Sequence, residues 1–70
     1  MSRSQPTTPA DDLPPLSRPA RAAFALAGLT RLEHFGGRRA KELLALHGVG
    51  PKSIRELRAA LAEAGLPPLT

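Results

Sequence analysis

The chain contains no cysteine, tryptophan or tyrosine, and only two of its 70 residues are phenylalanine. Without cysteine there is no disulfide scaffold and no thiolate site for zinc or an iron–sulfur cluster. The scarcity of aromatic side chains disfavours base-stacking surfaces for single-stranded nucleic acid. The apolar runs are far shorter than the roughly 20 residues that cross a bilayer, and the N-terminus lacks the apolar block of a secretory signal. We therefore expect a cytoplasmic protein without membrane association.

Side chains suited to catalysis or metal binding are also few. The chain has two histidines, His34 and His47, and six acidic residues. Two histidines are too few for a metal site, which takes three or four protein ligands. The sequence therefore predicts a protein that is not an enzyme and needs no metal or other cofactor.

Charge and composition divide the chain into two parts. Residues 1–15 hold four of the eight prolines together with serine, threonine and aspartate, and such a segment buries too little apolar surface to offset its ordering entropy. Residues 17–70 carry nine basic and four acidic side chains, within a net charge of +4 for the chain. The sequence predicts a flexible tail over 1–15, tethered by Leu13 and Leu16, and one domain over 16–70. The basic charge of this domain indicates a polyanionic partner.

The first helix of the domain has clear start and stop signals. Ser17 is a good N-cap, Pro19 suits a first helical turn, and Gly28 suits the position just after a helix. Between them, apolar residues recur with the spacing of one buried helix face, at Ala20, Ala23, Phe24 and Ala27. No segment of the domain alternates with the period of two that is typical of a strand.

Three further helices are predicted. The second spans 31–35 with Thr30 as its cap, and the third spans about 38–46. The fourth begins at Pro51 and ends at Gly65 in a Schellman motif. Their expected buried residues are Leu32, Phe35, Leu43, Leu44, Leu46, Ile54, Leu57 and Leu61. The residues of the fourth helix expected to face water are Arg55, Glu56, Arg58 and Glu63.

The sequence partly repeats itself after 20 residues. The shift places Ala20 on Ala40 and Gly28 on Gly48, within the same order of helix, glycine turn and new helix. We interpret this as two helix–turn–helix units, of which 26–30 is the degenerate turn and 46–50 the full one. Two such units can close a small core that one unit would leave exposed.

The strongest local motif is the hexapeptide from Gly48 to Ser53, Gly-Val-Gly-Pro-Lys-Ser. Its two glycines permit positive φ and close backbone approach. The amides around Gly50, Lys52 and Ser53 come at a helix N-terminus, where unpaired N–H groups and the helix dipole bind phosphate. Lys52 adds a charge and Ser53 a hydroxyl. Such an arrangement holds a nucleic-acid backbone without reading bases.

These residues resemble a helix-hairpin-helix motif, a DNA-binding element without sequence specificity. Residues 17–69 also look like a free-standing version of the C-terminal domain of the bacterial RNA polymerase alpha subunit. The resemblance implies an all-α fold, a compact four- to five-helix domain with one helix-hairpin-helix and a degenerate second hairpin. It also implies binding to the minor groove of promoter DNA and contacts with transcription activators. The matching segments are 16–21, 29–32, 41–44 and 48–57.

The resemblance also implies which residues contact DNA. Arg18 matches the family's minor-groove arginine, and a second cluster matches at Gly50, Lys52, Ser53 and Glu56. Arg21, where the family has asparagine, shares a helix face with Arg18, and the negative potential of a narrow minor groove attracts arginine. The predicted DNA-binding residues are Arg18, Arg21, Gly48, Gly50, Lys52, Ser53 and Glu56. A further basic cluster could follow phosphates or only solvate the third helix; it consists of Arg38, Arg39 and Lys41.

The sequence thus predicts a monomeric module that binds duplex DNA weakly, through the phosphate backbone and the minor groove. Such a module would serve transcription or DNA maintenance. The alternative is a protein–protein interaction module of the same fold that has lost DNA binding and contacts a protein partner in transcription.

Overall fold

Three α-helices and one 3₁₀ helix form the architecture of residues 12–70, the part of the chain that the computed structural model describes. In chain order they are α1 (Arg18–Leu26), the 3₁₀ helix (Leu32–Phe35), α2 (Ala40–Leu44) and α3 (Pro51–Ala64). This part of the chain contains no strand, so the prediction of an all-α fold is confirmed. Most of the predicted tail, residues 1–11, lies outside the described residues.

Helix α1 begins and ends where its local signals predict. The Ser17 hydroxyl accepts a hydrogen bond from the Ala20 amide at 3.3 Å. At the other end Gly28 has a φ of +80°, and this conformation lets the Leu29 amide donate to the Phe24 carbonyl at 2.7 Å. Ala20 and Phe24 are buried as predicted, whereas Ala23 is only half-buried. Ala27 is exposed, contrary to prediction, because it follows the last helical residue and no longer lies on the buried face.

The second predicted helix is a 3₁₀ helix of four residues, and its cap differs from the prediction. Nδ1 of His34 accepts two hydrogen bonds, one from the Thr30 amide at 3.2 Å and one from the Arg31 amide at 3.1 Å. The Leu32 amide donates to Oδ1 of Asp12 at 2.8 Å. The Leu32 amide, which a cap at Thr30 would bind, therefore donates to a distant carboxylate instead.

Helix α2 is shorter than the predicted span of 38–46 because its N-terminal flank is extended. Arg39 has φ −79° and ψ 126°, and the segment 37–40 pairs with the segment 67–70. Three backbone hydrogen bonds join the two segments: Gly37 N–H to the Pro68 carbonyl at 3.2 Å, Thr70 N–H to the Arg38 carbonyl at 2.8 Å, and Ala40 N–H to the Thr70 carbonyl at 2.9 Å.

The short α2 also changes which leucines reach the core. Leu43 is buried, but Leu44 is 42% exposed and Leu46 is half-buried. The prediction that Leu44 is a core residue is wrong. A helix of five residues buries one narrow stripe, and Leu43 occupies it.

Helix α3 matches its prediction at both ends and in its apolar buried residues, but Glu56, which is expected to face water, is half-buried. It begins at Pro51 and buries Ile54, Leu57 and Leu61. After its last residue the Leu66 amide donates to the Leu61 carbonyl at 3.0 Å, the long hydrogen bond of a Schellman motif. With 14 residues it is the longest helix, and no helix within 12–70 is long and apolar enough to span a bilayer.

The core lies among the four helices and includes Ala40 and Leu43 of α2. Phe24 and Phe35 are fully buried and meet edge to face, with ring centroids 4.9 Å apart and planes at 81°. Leu69, from the segment after α3, is also part of this core. Leu13 and Leu16 pack against it, as the sequence predicts for the residues that tether the tail.

Candidate nucleic-acid interface

The turn between α2 and α3 lies directly against the first turn of α1. Gly48 has a φ of +98°, which side chains with a Cβ rarely adopt. A Cβ atom at this position would lie 2.9 Å from the carbonyl oxygen of Pro19, closer than real Cβ atoms approach. Only glycine fits here without a shift of the backbone, and its small size brings the N-termini of α1 and α3 together.

The N-terminus of α3 offers two backbone amides without a capping side chain. Gly50 precedes the helix with φ −125° and ψ 180°, so it is extended and does not use the positive φ that glycine allows. Pro51 has no amide hydrogen, and the next two amides, of Lys52 and Ser53, have no partner within the helix. The first turn of α3 contains no acidic residue. These amides and the positive end of the helix dipole therefore favour an anion.

Four of the predicted DNA-binding residues line one groove, which we call the hairpin groove. They are Gly50, Lys52, Ser53 and Glu56, and the facing wall comes from Pro15, Leu16 and Ser17. The groove has a volume of about 380 Å³. Lys52 is exposed and Glu56 half-buried. Ser53 lines the groove but is only 7% exposed, so it offers less surface to a ligand than Lys52 does.

Arg18 and Arg21 line a second groove, which we call the α1 groove. Its volume is about 830 Å³, and its other lining residues are Leu13, Leu16, Ala22, Ala25, Leu29 and Thr30. The two arginines share a face of α1, as predicted, but this face does not line the hairpin groove. Leu16 lines both grooves, so the two sets of predicted residues are neighbours on either side of the start of α1.

The cations beside the hairpin groove form no ion pairs with carboxylates of the described residues. Arg18 and Lys52 are exposed, and neither is in an ion pair within residues 12–70. Arg18 immediately follows Ser17, which lines the hairpin groove, whereas Lys52 lines it directly. A polyanion lying across the start of α1 and α3 would meet both charges.

The remaining basic and histidine side chains lie elsewhere. Arg38, Arg39 and Lys41 are exposed and line neither groove, and the Nε–H of Arg38 donates to the His34 carbonyl at 3.0 Å. His47 is exposed in the turn. The described part of the chain holds no group of three or more His, Cys, Asp or Glu side chains suited to a metal ion.

Sequence reasoning missed the wall of the hairpin groove opposite α3. By sequence alone Pro15 belongs to the tail and Ser17 is a helix cap, and neither is predicted to face Lys52. The repeat relates α1 to α2, but no local signal shows that the start of α1 contacts the turn at Gly48.

The chain matches no protein-family model, no curated protein and no solved structure. Its functional interpretation therefore depends on the hairpin groove and the charges around it.

Proposed function

We propose that the protein is a non-catalytic module that binds duplex DNA through the phosphate backbone and the minor groove, with little sequence preference. The observation that carries this proposal is the close approach of Gly48 to Pro19. This contact brings the start of α3, which carries Lys52 and has no capping side chain, next to the start of α1, which carries Arg18. Two exposed cations and two amides without a partner within the helix thus lie at two neighbouring helix starts.

We also propose that α2, the turn at 46–50 and α3 form a helix-hairpin-helix. In this proposal α1, the turn at 26–30 and the 3₁₀ helix form a degenerate second hairpin, as in the C-terminal domain of the RNA polymerase alpha subunit. The equivalent glycines support this, since Gly28 and Gly48 both have positive φ, +80° and +98°. Ala20 and Ala40, which are also equivalent in the repeat, are both buried.

The proposed contacts predict how DNA is bound. A phosphate at the N-terminus of α3 accepts hydrogen bonds from the Lys52 and Ser53 amides and is neutralised by the Lys52 ammonium. The Arg18 guanidinium, at the start of α1, reaches the adjoining minor groove. Phosphate contacts carry no direct sequence information. Because this is mostly counterion-release binding, we expect dissociation constants of roughly 10⁻⁶ to 10⁻⁴ M that weaken steeply with salt.

A titration of the full chain into a labelled random-sequence duplex, followed by fluorescence anisotropy at low and moderate salt, tests the proposal. The test variant combines Lys52→Glu with Arg18→Ala. The control variant combines Arg58→Glu with Arg39→Ala, which removes the same charge from exposed residues that line neither groove. Far-UV circular dichroism checks that both variants fold.

We expect the wild type and the control to bind, with the control weaker because of its lower net charge, and the test variant to lose binding. Equal losses in the two variants would show that only net charge matters and that the hairpin groove is not the site. A wild type that does not bind at low salt would refute DNA binding altogether.

A second candidate function is protein–protein interaction, and the α1 groove favours it. Leu26, on the same helix, is 92% exposed, next to a groove lined mainly by apolar side chains. By the resemblance, the partner would belong to the transcription machinery. This candidate predicts that purified RNA polymerase binds the wild type and not a Leu26→Asn variant, whereas DNA binding is the same in both because the net charge is unchanged.

A further inference from the structure

Helix α3 carries a second exposed cation one turn beyond the hairpin groove. Lys52, Arg55, Glu56 and Ala59 line a shallow groove of about 340 Å³ on this helix. At about 100° and 1.5 Å per residue, Arg55 lies roughly 60° around the axis from Lys52 and 4.5 Å further along it. Both side chains are exposed, and Arg55 forms no ion pair within residues 12–70.

This shallow groove continues the hairpin groove. Lys52 and Glu56 line both of them, so a chain of phosphates that enters one can run on into the other. Ala59 ends at its Cβ and leaves the far side of the shallow groove open. The Arg55 side chain is therefore the next cation that a phosphate backbone would meet after Lys52.

The charges on this face explain why a second cation matters. Lys52 and Glu56 together have no net charge, and the Glu56 carboxylate repels a phosphate that lies beyond Lys52. Arg55 makes the face positive again. A guanidinium also holds a phosphate with two parallel hydrogen bonds, which an ammonium does not.

We infer that the phosphate-binding surface extends along α3 to Arg55, which binds a backbone phosphate adjacent to the one held at Lys52. This inference rests on the proposed DNA-binding function and adds a third cationic contact to Arg18 and Lys52. Sequence patterning alone would place Arg55 among the residues that only solvate the helix. Its position in a groove shared with Lys52 gives it a binding role.

The salt dependence of DNA binding tests this inference, because each phosphate contact contributes about 0.9 to the slope of log K against log salt concentration. The full chain is titrated against the same labelled duplex over a series of salt concentrations. The variants are Arg55→Gln, Arg55→Lys and Arg58→Gln. Arg58 is a matched control, since it is exposed on the same helix but lies about 120° from Lys52 and lines no part of either groove.

We expect Arg55→Gln to reduce the slope by about 0.9, and Arg58→Gln to leave the slope of the wild type unchanged. Arg55→Lys should keep the slope, since the charge remains, and bind more weakly because the paired hydrogen bonds are lost. Circular dichroism confirms that each variant is folded.

Two outcomes would overturn the inference and leave the proposed function standing. In the first, the wild type binds and Arg55→Gln keeps the full slope. In the second, Arg55→Gln and Arg58→Gln reduce the slope equally, so that only overall charge is measured. Absence of binding by the wild type at the lowest salt would instead refute the proposed function, and this inference with it.

Discussion

Two glycines at equivalent positions of the repeat meet different constraints. Gly28 and Gly48 both have positive φ, and each follows a helix that ends shortly before it. A Cβ at Gly28 would meet no atom within 4 Å, whereas a Cβ at Gly48 would lie 2.9 Å from the Pro19 carbonyl oxygen. Backbone conformation alone favours glycine at the first position. At the second position, close packing between the turn and α1 requires it as well.

This difference predicts unequal effects of the same substitution. Gly28→Ala should lower the free energy of unfolding by about 1–2 kcal/mol, the cost of the left-handed conformation for a residue with a Cβ. Gly48→Ala should lower it by more, because the Pro19 backbone must also move away. Urea unfolding followed by circular dichroism measures both. Equal losses would mean that the contact between the turn and α1 is not tight.

At the scale of elements, the two helix N-termini beside the hairpin groove are built differently. In α1 the Ser17 hydroxyl caps a backbone amide. In α3 the residue before the helix is Gly50, which has no side chain to do so. Lys52 lies in the first turn of α3, where a cation opposes the helix dipole. The start of α3 is thus less stable than it could be and better suited to an anion.

Lys52→Glu should therefore stabilise the fold while it weakens DNA binding. A carboxylate in the first turn favours the helix dipole by about 0.3–1 kcal/mol at low ionic strength. It would repel Glu56 four residues on but attract Arg55 three residues on, and these effects are of similar size. Thermal unfolding at low salt and the anisotropy titration measure the two properties.

The control for this prediction is Arg58→Glu, in the middle of α3, where the helix dipole has little effect. It should not increase stability, and its DNA binding should fall less. If the Lys52→Glu variant is less stable than the wild type, then Lys52 does not destabilise the first turn of α3, and this prediction is wrong.

At the scale of the whole molecule, the segment after α3 completes the fold. Residues 67–70 pair with 37–40 through three backbone hydrogen bonds, and one of these, from the Ala40 amide to the Thr70 carbonyl, lies at the start of α2. Leu69 is 4% exposed and belongs to the core. These residues hold α2 against α3 although they lie outside every helix.

The contribution of Leu69 to stability can be tested by replacing leucine with alanine at this core position and at an exposed position. Leu69→Ala should cost about 2–5 kcal/mol, comparable with the roughly 3–5 kcal/mol that a core of this size supplies, so that much of the protein unfolds at room temperature. Leu26→Ala, at a residue 92% exposed, should change stability by no more than about 0.5 kcal/mol. Urea denaturation compares them, and a small loss at Leu69 would show that the segment 67–70 does not close the core.

The 20-residue repeat in the sequence does not predict which equivalent residues are buried in the folded molecule. Phe24 and Leu44 are equivalent by the 20-residue shift, yet Phe24 is fully buried and Leu44 is 42% exposed. The ring of Phe24 packs on Phe35, and α2 is too short to bury its second leucine. Equivalent residues of two similar segments can thus differ in solvent exposure when both segments pack around a single core.

Local signals in the sequence were sufficient for the fold class and for both ends of α1 and α3. Ser17, Gly28 and Pro51 act on backbone groups within a few residues of themselves, so their effects can be predicted from adjacent residues. Gly50, Lys52, Ser53 and Glu56 lie on one short stretch of chain, and they line the hairpin groove together for the same reason.

Only the tertiary structure decided the features that join distant parts of the chain. Asp12 caps the 3₁₀ helix from 20 residues away. Residues 67–70 pair with the segment before α2, which is extended. Gly48 contacts Pro19, and this contact places the wall at Ser17 opposite Lys52. These pairings depend on how helices pack around a common core, which no single stretch of sequence specifies. Helix ends are therefore local properties of this sequence, whereas the shape of its candidate binding surface is a property of the whole fold.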